Sequence, residues 1–277
     1  MKTTTSTFTT PDGTKLFTQA WLPDRPRATV ILQHGLGEHI ERYDYLGRYL
    51  TSYGYATYAA DARGHGQTGK QNGDLGYFAS LLQIVADLHA YVQSVANGEK
   101  VFLIGHSMGG LISLLYTIHH QDTLKGLVLS APALDAGESV SPLTLRILNL
   151  LARFAPKMGT VTLDTSTLSK DQEVVTTYQN DPLVWHGKIP ARVGAELIDG
   201  ANLARAKANE ITIPVLLMHG ANDRLVNPKG TPAIYEQIAS ADKTLKLWDG
   251  LNHEIFNEPE KDAVIDYTLK WILGHLA

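Results

Sequence analysis

The chain has 277 residues, of which 44% are hydrophobic and 19% charged, with 24 Lys and Arg set against 28 Asp and Glu. That balance belongs to an ordinary globular protein, so disorder and collagen-like repeats are excluded, and a net charge of −4 without any basic block excludes nucleic acid as a partner. Having no cysteine, the chain cannot use disulfides, thiol nucleophiles or thiolate zinc sites, which leaves Ser, Thr, Lys or a carboxylate for covalent chemistry.

The length allows one or two domains. The opening MKTTTSTFTT lacks the apolar stretch of a secretory signal, and no run of about 18 apolar residues occurs, which predicts a cytoplasmic protein without a membrane span. Pro11-Asp12-Gly13 reads as a turn joining two antiparallel strands, the second being TKLFTQAWL. Short β-branched apolar runs then recur: ATVILQ (28–33), YATYAA (55–60), VFLIG (101–105), GLVLS (126–130), IPVLLMHG (213–220) and KTLKLW (243–248). Buried parallel strands read this way. Helices between them carry apolar stripes, Leu81, Val85, Leu88, Val92 and Val95 in one, Leu111, Leu114, Leu115 and Ile118 in another. A last helix begun by Pro259 carries Val264, Tyr267 and Trp271. The fold class is therefore α/β, with a mostly parallel eight-stranded sheet flanked by helices.

From Ala131 to Ile211 no convincing strand occurs, and so long a loop is improbable inside a compact sheet. Residues 134–208 are predicted to be an inserted helical cap over the carboxyl ends of the strands, with residues 1–133 and 209–277 forming the core domain.

Gly105-His106-Ser107-Met108-Gly109 is G-x-S-x-G, placed between a strand and an amphipathic helix. That context suits a nucleophile elbow, where glycines permit a sharp turn that lifts the serine hydroxyl above the sheet. A serine nucleophile needs a base oriented by an acid, both from loops at the strand carboxyl ends. Asp223 follows IPVLLMHG by three residues and His253 follows KTLKLW by five, giving the Ser, acid, His order of α/β-hydrolases. His219 is the rival base and Asp135 the rival acid, while Asp249 reads as a turn residue. Oxyanion donors are expected from the N–H groups of Leu36, in the turn His34-Gly35-Leu36-Gly37, and Met108. His34 itself reads as a loop anchor.

Gly64-His65-Gly66-Gln67-Thr68-Gly69 matches G-x-G-x-x-G formally, but it is expected to form a turn closing the active-site floor rather than to open a helix, so no dinucleotide cofactor is predicted. No H-E-x-x-H occurs, and His119-His120 reads as a solvated pair, so no metal is predicted either.

On His34-Gly35-Leu36-Gly37-Glu38-His39, Asp61-Ala62-Arg63-Gly64-His65-Gly66, Gly105-His106-Ser107-Met108-Gly109-Gly110, Ser130-Ala131-Pro132-Ala133, Tyr178-Gln179-Asn180-Asp181-Pro182-Leu183, His219-Gly220-Ala221-Asn222-Asp223 and Asn252-His253-Glu254, the chain resembles the monoacylglycerol lipase and lysophospholipase branch of the α/β-hydrolases, which includes serine aminopeptidase-like esterases. The resemblance covers nearly the whole length. It implies a cofactor-free serine carboxylester hydrolase with Ser107, Asp223 and His253 as triad, Leu36 and Met108 as oxyanion hole, and Glu38, Arg42 and Tyr178 at a glycerol head-group site. The chain departs from mammalian members at Phe256, where they carry a second histidine. Ser141–Phe154, apolar on most faces, needs two apolar neighbours: the hydrolase domain, and either an acyl tunnel or a membrane surface touched transiently. The implied partner is a lipid ester. A lysophospholipase, a short-chain carboxylesterase, an aminopeptidase and a non-catalytic receptor on the same fold are the alternatives.

Overall fold

A computed structural model describes residues 1–135 and 141–276. Residues 136–140, at the start of the expected insertion, lie outside the described residues. In chain order the strands are β1 (Lys2–Thr9), β2 (Lys15–Leu22), β3 (Ala28–Gln33), β4 (Tyr55–Ala60), β5 (Val101–His106), β6 (Leu124–Ser130), β7 (Val215–Gly220) and β8 (Lys243–Trp248). They form one sheet in the order β1-β2-β4-β3-β5-β6-β7-β8. β1 pairs antiparallel with β2 and β2 with β4, while the remaining pairs are parallel.

Along β5, Val101 and Leu103 enter one apolar cluster while Phe102 and Ile104 enter another, so both faces are buried and the run is continuously apolar. The first cluster is closed by α3 (Leu81–Ala96) and α4 (Met108–His120), the second by α1 (Asp44–Ser52) and α9 (Lys261–Gly274). The short α2 (Gly66–Asn72) lies against β2, where Thr68 Oγ1 accepts from the Phe17 N–H. Ser80 caps α3 by accepting from the Gln83 N–H. The last helix starts at Lys261 behind Glu260, so Pro259 lies outside the cap rather than at the first turn.

Strand order reverses between β4-β3 and β5, which opens a crevice at the carboxyl ends of β3 and β5. Gln33 and Gly105 are register partners there, so the loop after β3 is held beside the loop after β5.

Between β6 and β7 run α5 (Pro142–Phe154), α6 (Gln172–Asn180) and α7 (Ala191–Lys207), and α8 (Gly230–Gln237) follows β7. Val193, Ala201 and Ala204 of α7 share the apolar cluster of α3 and α4. Only Ala152 of α5 is buried. Among the described residues no helix is long and apolar enough to cross a membrane.

Candidate active site

Ser107 joins β5 to α4 with φ +53° and ψ −119°, a backbone region sparsely populated by residues with a side chain and one that stores strain. The surroundings enforce it: the Ser107 N–H donates to Ser130 O at 2.9 Å, and Ser107 O accepts from Ala133 N at 3.0 Å. A Cβ on Gly105 would lie 2.4 Å from Gly109 O, and one on Gly109 2.2 Å from Gln33 O, so neither glycine of the motif tolerates a side chain. His34 anchors the neighbouring loop as expected, with Nδ1 to Gly35 O at 2.8 Å and Nε2 accepting from the Ala62 N–H at 2.9 Å.

His253 Nδ1 lies 2.6 Å from Asp223 Oδ2, and both residues are buried. Asp223 Oδ1 accepts from the Leu225 and Val226 N–H groups at 2.8 and 3.0 Å. Burial alone would raise the Asp223 carboxyl; the hydrogen bonds from His219 and His253 outweigh it and hold the group well below the usual carboxylate range. Asp135 lines the same cavity, but its carboxylate accepts from the Asn227 N–H at 2.9 Å and, among the described residues, meets no imidazole. Among the described residues Ser107 Oγ makes no hydrogen bond with His253, although both line one cavity; such contacts often tighten only with substrate.

His219 does not replace His253 as the partner of Asp223: its Nε2 reaches the same Oδ2 at 2.9 Å, so two imidazoles converge on one oxygen. His106 packs beside His253 with ring centroids 4.7 Å apart and the rings tilted by 52°. Burial, with His253 adding to it, pushes His106 down to about 4, which keeps it neutral at neutral pH.

Beside the serine lies a buried ion cluster. Arg42 pairs with both oxygens of Glu254, at 2.8 and 2.7 Å, and also with Glu38. Glu38 further accepts from the Gly35 N–H at 2.6 Å and the Tyr43 hydroxyl at 2.7 Å. The Arg42 charge overcomes the burial that would raise Glu38 and Glu254, and both are held below their ordinary range. Tyr178 covers the cluster, with the guanidinium carbon 4.7 Å from its ring centroid. Glu38, Tyr178 and Glu254 line the cavity, whereas Arg42 stands behind them. Glu254 is a member that sequence reasoning did not single out; its place next to His253 was the available signal. Phe256 packs in the second apolar cluster.

Leu36, Met108, Leu163, Leu168, Ile189, Leu197, Leu225 and Val226 supply the apolar wall. A second cavity adjoins, sharing Leu36, Leu163, Thr165, Tyr178 and Ile189. Their volumes, about 170 and 140 Å³, far exceed the space of one water, so neither is a packing defect. No α5 residue lines either cavity. Of the two further neighbours expected for Ser141–Phe154, an acyl tunnel or a membrane surface, these cavities do not supply the tunnel. Instead Leu143, Ile147, Leu150 and Phe154, spaced by four, three and four, stand 50–72% exposed on one stripe.

The glycine run also differs from expectation: α2 starts at Gly66, so the motif does open a helix. Its glycines nevertheless serve the protein's own packing, since a Cβ on Gly64 would meet Tyr77 O at 2.1 Å and one on Gly66 would meet Asp61 Oδ2 at 2.3 Å. Asp61 already takes the Gln67 N–H that a pyrophosphate would need. Residues 64–69 line neither of the two cavities. His119 is exposed, but His120 is partly buried and stacked 3.8 Å from His89. Among the described residues no group of three or more potential metal ligands converges.

The buried histidines predict acid sensitivity. Burial pushes His65 down to about 3 and His106 to about 4, whereas the unfolded chain binds those protons near 6.5. Stability should therefore fall as pH drops below about 6.5, by up to about 1.4 kcal/mol per pH unit for each histidine. Glu38, Glu254 and Asp223 add their loss only at lower pH, as protonation reaches carboxyls held down in the folded state. A urea midpoint that declines steadily between pH 6.5 and 4.5 is the expected result, and a flat one contradicts it.

The family described as Serine aminopeptidase, S33, matches residues 24–260. A monoacylglycerol lipase from Mycolicibacterium smegmatis is 37% identical over 95% of each chain. A monoglyceride lipase from Rattus norvegicus is 33% identical over 96% of this chain and 89% of its own. The crystal structure of Paleococcus ferrophilus monoacylglycerol lipase superposes with a TM-score of 0.84 at 31% identity, covering 94% of this chain and 99% of that one.

Proposed function

The chain belongs to the serine aminopeptidase S33 family of α/β-hydrolases, and from that premise we propose that it cleaves monoacylglycerols to glycerol and fatty acid through an acyl-enzyme. The observation that carries the reading is a strained elbow serine sharing a cavity with an imidazole bonded to a buried carboxylate, between an apolar wall and a buried polar cluster. Ser107 attacks the ester carbonyl while His253 takes its proton. Asp223 orients His253 and stabilises the imidazolium, and the Leu36 and Met108 N–H groups receive the oxyanion. His253 then returns the proton to the leaving glycerol oxygen. In the second half it activates water, which releases the fatty acid.

Glu38 and Tyr178 are assigned to the glycerol hydroxyls, with Arg42 holding Glu38 in place. The acyl chain is assigned to the wall of Leu163, Leu168, Ile189, Leu197, Leu225 and Val226. Residues 134–208 act as the cap over a core of residues 1–133 and 209–277. The exposed stripe of α5 is the surface by which a cytoplasmic enzyme would touch lipid transiently.

The test is glycerol release from monopalmitoylglycerol beside hydrolysis of p-nitrophenyl palmitate. Tyr178→Phe should slow the first about threefold to tenfold, the range of one lost hydrogen bond, and leave the second nearly unchanged. Equal effects on both esters would remove Tyr178 from head-group recognition, and no glycerol release by the wild type would end the reading. The mechanism needs no metal, so dialysis against EDTA should leave turnover unchanged; loss restored by a divalent ion would contradict it.

A further inference from the structure

His219 is completely buried and is not one of the three residues assigned to the chemistry, yet it is bonded into them. It precedes the last residue of β7, and its Nε2 reaches Asp223 Oδ2 at 2.9 Å. Its Nδ1 lies 2.7 Å from Thr231 Oγ1, a buried hydroxyl in the first turn of α8. An ionised carboxylate only accepts, so the His219 proton resides on Nε2 and Nδ1 accepts from the Thr231 hydroxyl. With His253 on the same Oδ2 and two backbone N–H groups on Oδ1, all four acceptor positions of Asp223 are filled.

We infer that His219, held in place by Thr231, is a positioning residue that fixes the Asp223 carboxylate against His253 and takes a share of its negative charge. This rests on the triad reading above and adds a fourth and fifth member behind it. Without the His219 donor, Oδ2 could rotate toward other partners, which weakens the aim of His253. Its full charge would also fall on His253 and favour the protonated imidazole. The other ionisable groups around His253 are His106, at 4.7 Å between ring centroids, and beyond it Glu38, Glu254 and Arg42. All of these are unchanged in the variants below.

The measurement is the pH profile of kcat/KM, with kcat and KM separated, for wild type, His219→Leu, His219→Gln and Thr231→Val on p-nitrophenyl butyrate. His219→Leu should lose about tenfold or more in kcat with little change in KM, as expected for a hydrogen bond to a charged group. Its acid limb should move up by about half a pH unit. His219→Gln keeps an N–H donor for Asp223 and an oxygen for Thr231, so it should restore the wild-type limb and most of the rate. Thr231→Val should shift the limb in the same direction by less.

A purely structural role would lower melting temperature and active fraction while leaving the limb in place, and that result overturns the inference. If His219→Leu does not fold, Thr231→Val decides, since a wild-type limb and rate there are equally contradictory. Fluorophosphonate labelling of the wild type, absent in Ser107→Ala, is measured first. Failure of that labelling strikes the triad itself, whereas intact labelling with unshifted profiles strikes only the part given to His219.

Discussion

Replacing Ser107 with alanine is expected to lower kcat by three to six orders of magnitude on every ester substrate, because residual turnover then rests on binding and oxyanion stabilisation alone. The variant should keep its fold, since the hydroxyl makes no hydrogen bond within the described chain and alanine occupies no more space. The positive φ stays equally strained with either side chain. Activity within tenfold of wild type, or a fluorophosphonate adduct on a different serine of the wild-type protein, would remove Ser107 from the mechanism.

Asp223→Asn should lose about 10³-fold to 10⁴-fold in kcat, as seen when the acid of such a triad is made neutral. The asparagine amide presents N–H where two imidazoles require an acceptor, so His253 would turn or adopt the wrong tautomer. Asp135→Asn should remain within a few-fold of wild type, because the contact it makes is with a loop N–H that an amide oxygen can still accept. The reverse pattern, with Asp135→Asn inactive and Asp223→Asn active, would exchange the acid. Both variants should be assayed near neutral pH, well above the range in which the buried histidines weaken the fold.

What could be read from the amino-acid string divides along physical lines. Strands such as VFLIG were legible because both faces are buried and the apolar run is unbroken. The elbow was legible because its glycines answer a local steric demand within five residues. Positions just past strand ends then gave Asp223 and His253 without any knowledge of their distance in space. Contacts between distant segments were not legible in that way. Arg42 meets Glu254 across 212 positions, and only folding brings them together. His219 looked like a competitor for the role of His253, since its spacing to Asp223 carries no hint that one oxygen serves both rings. Helix α2 escaped because a glycine-rich heptad has no apolar period to reveal it. The apolar character of α5 is plain in the string, but composition cannot say whether such a stripe faces a tunnel or solvent.

The central claim, that this is a hydrolase for monoacylglycerols with long acyl chains, is tested most directly by kcat/KM across a monoacylglycerol series from two to eighteen carbons. Each methylene moved from water against the apolar wall contributes up to about 0.8 kcal/mol, so the value should climb with chain length and level only when the cavity is full. A profile that peaks at acetate or butyrate, with no gain for longer chains, would mean that the wall binds no acyl chain and that the protein is an esterase for small substrates.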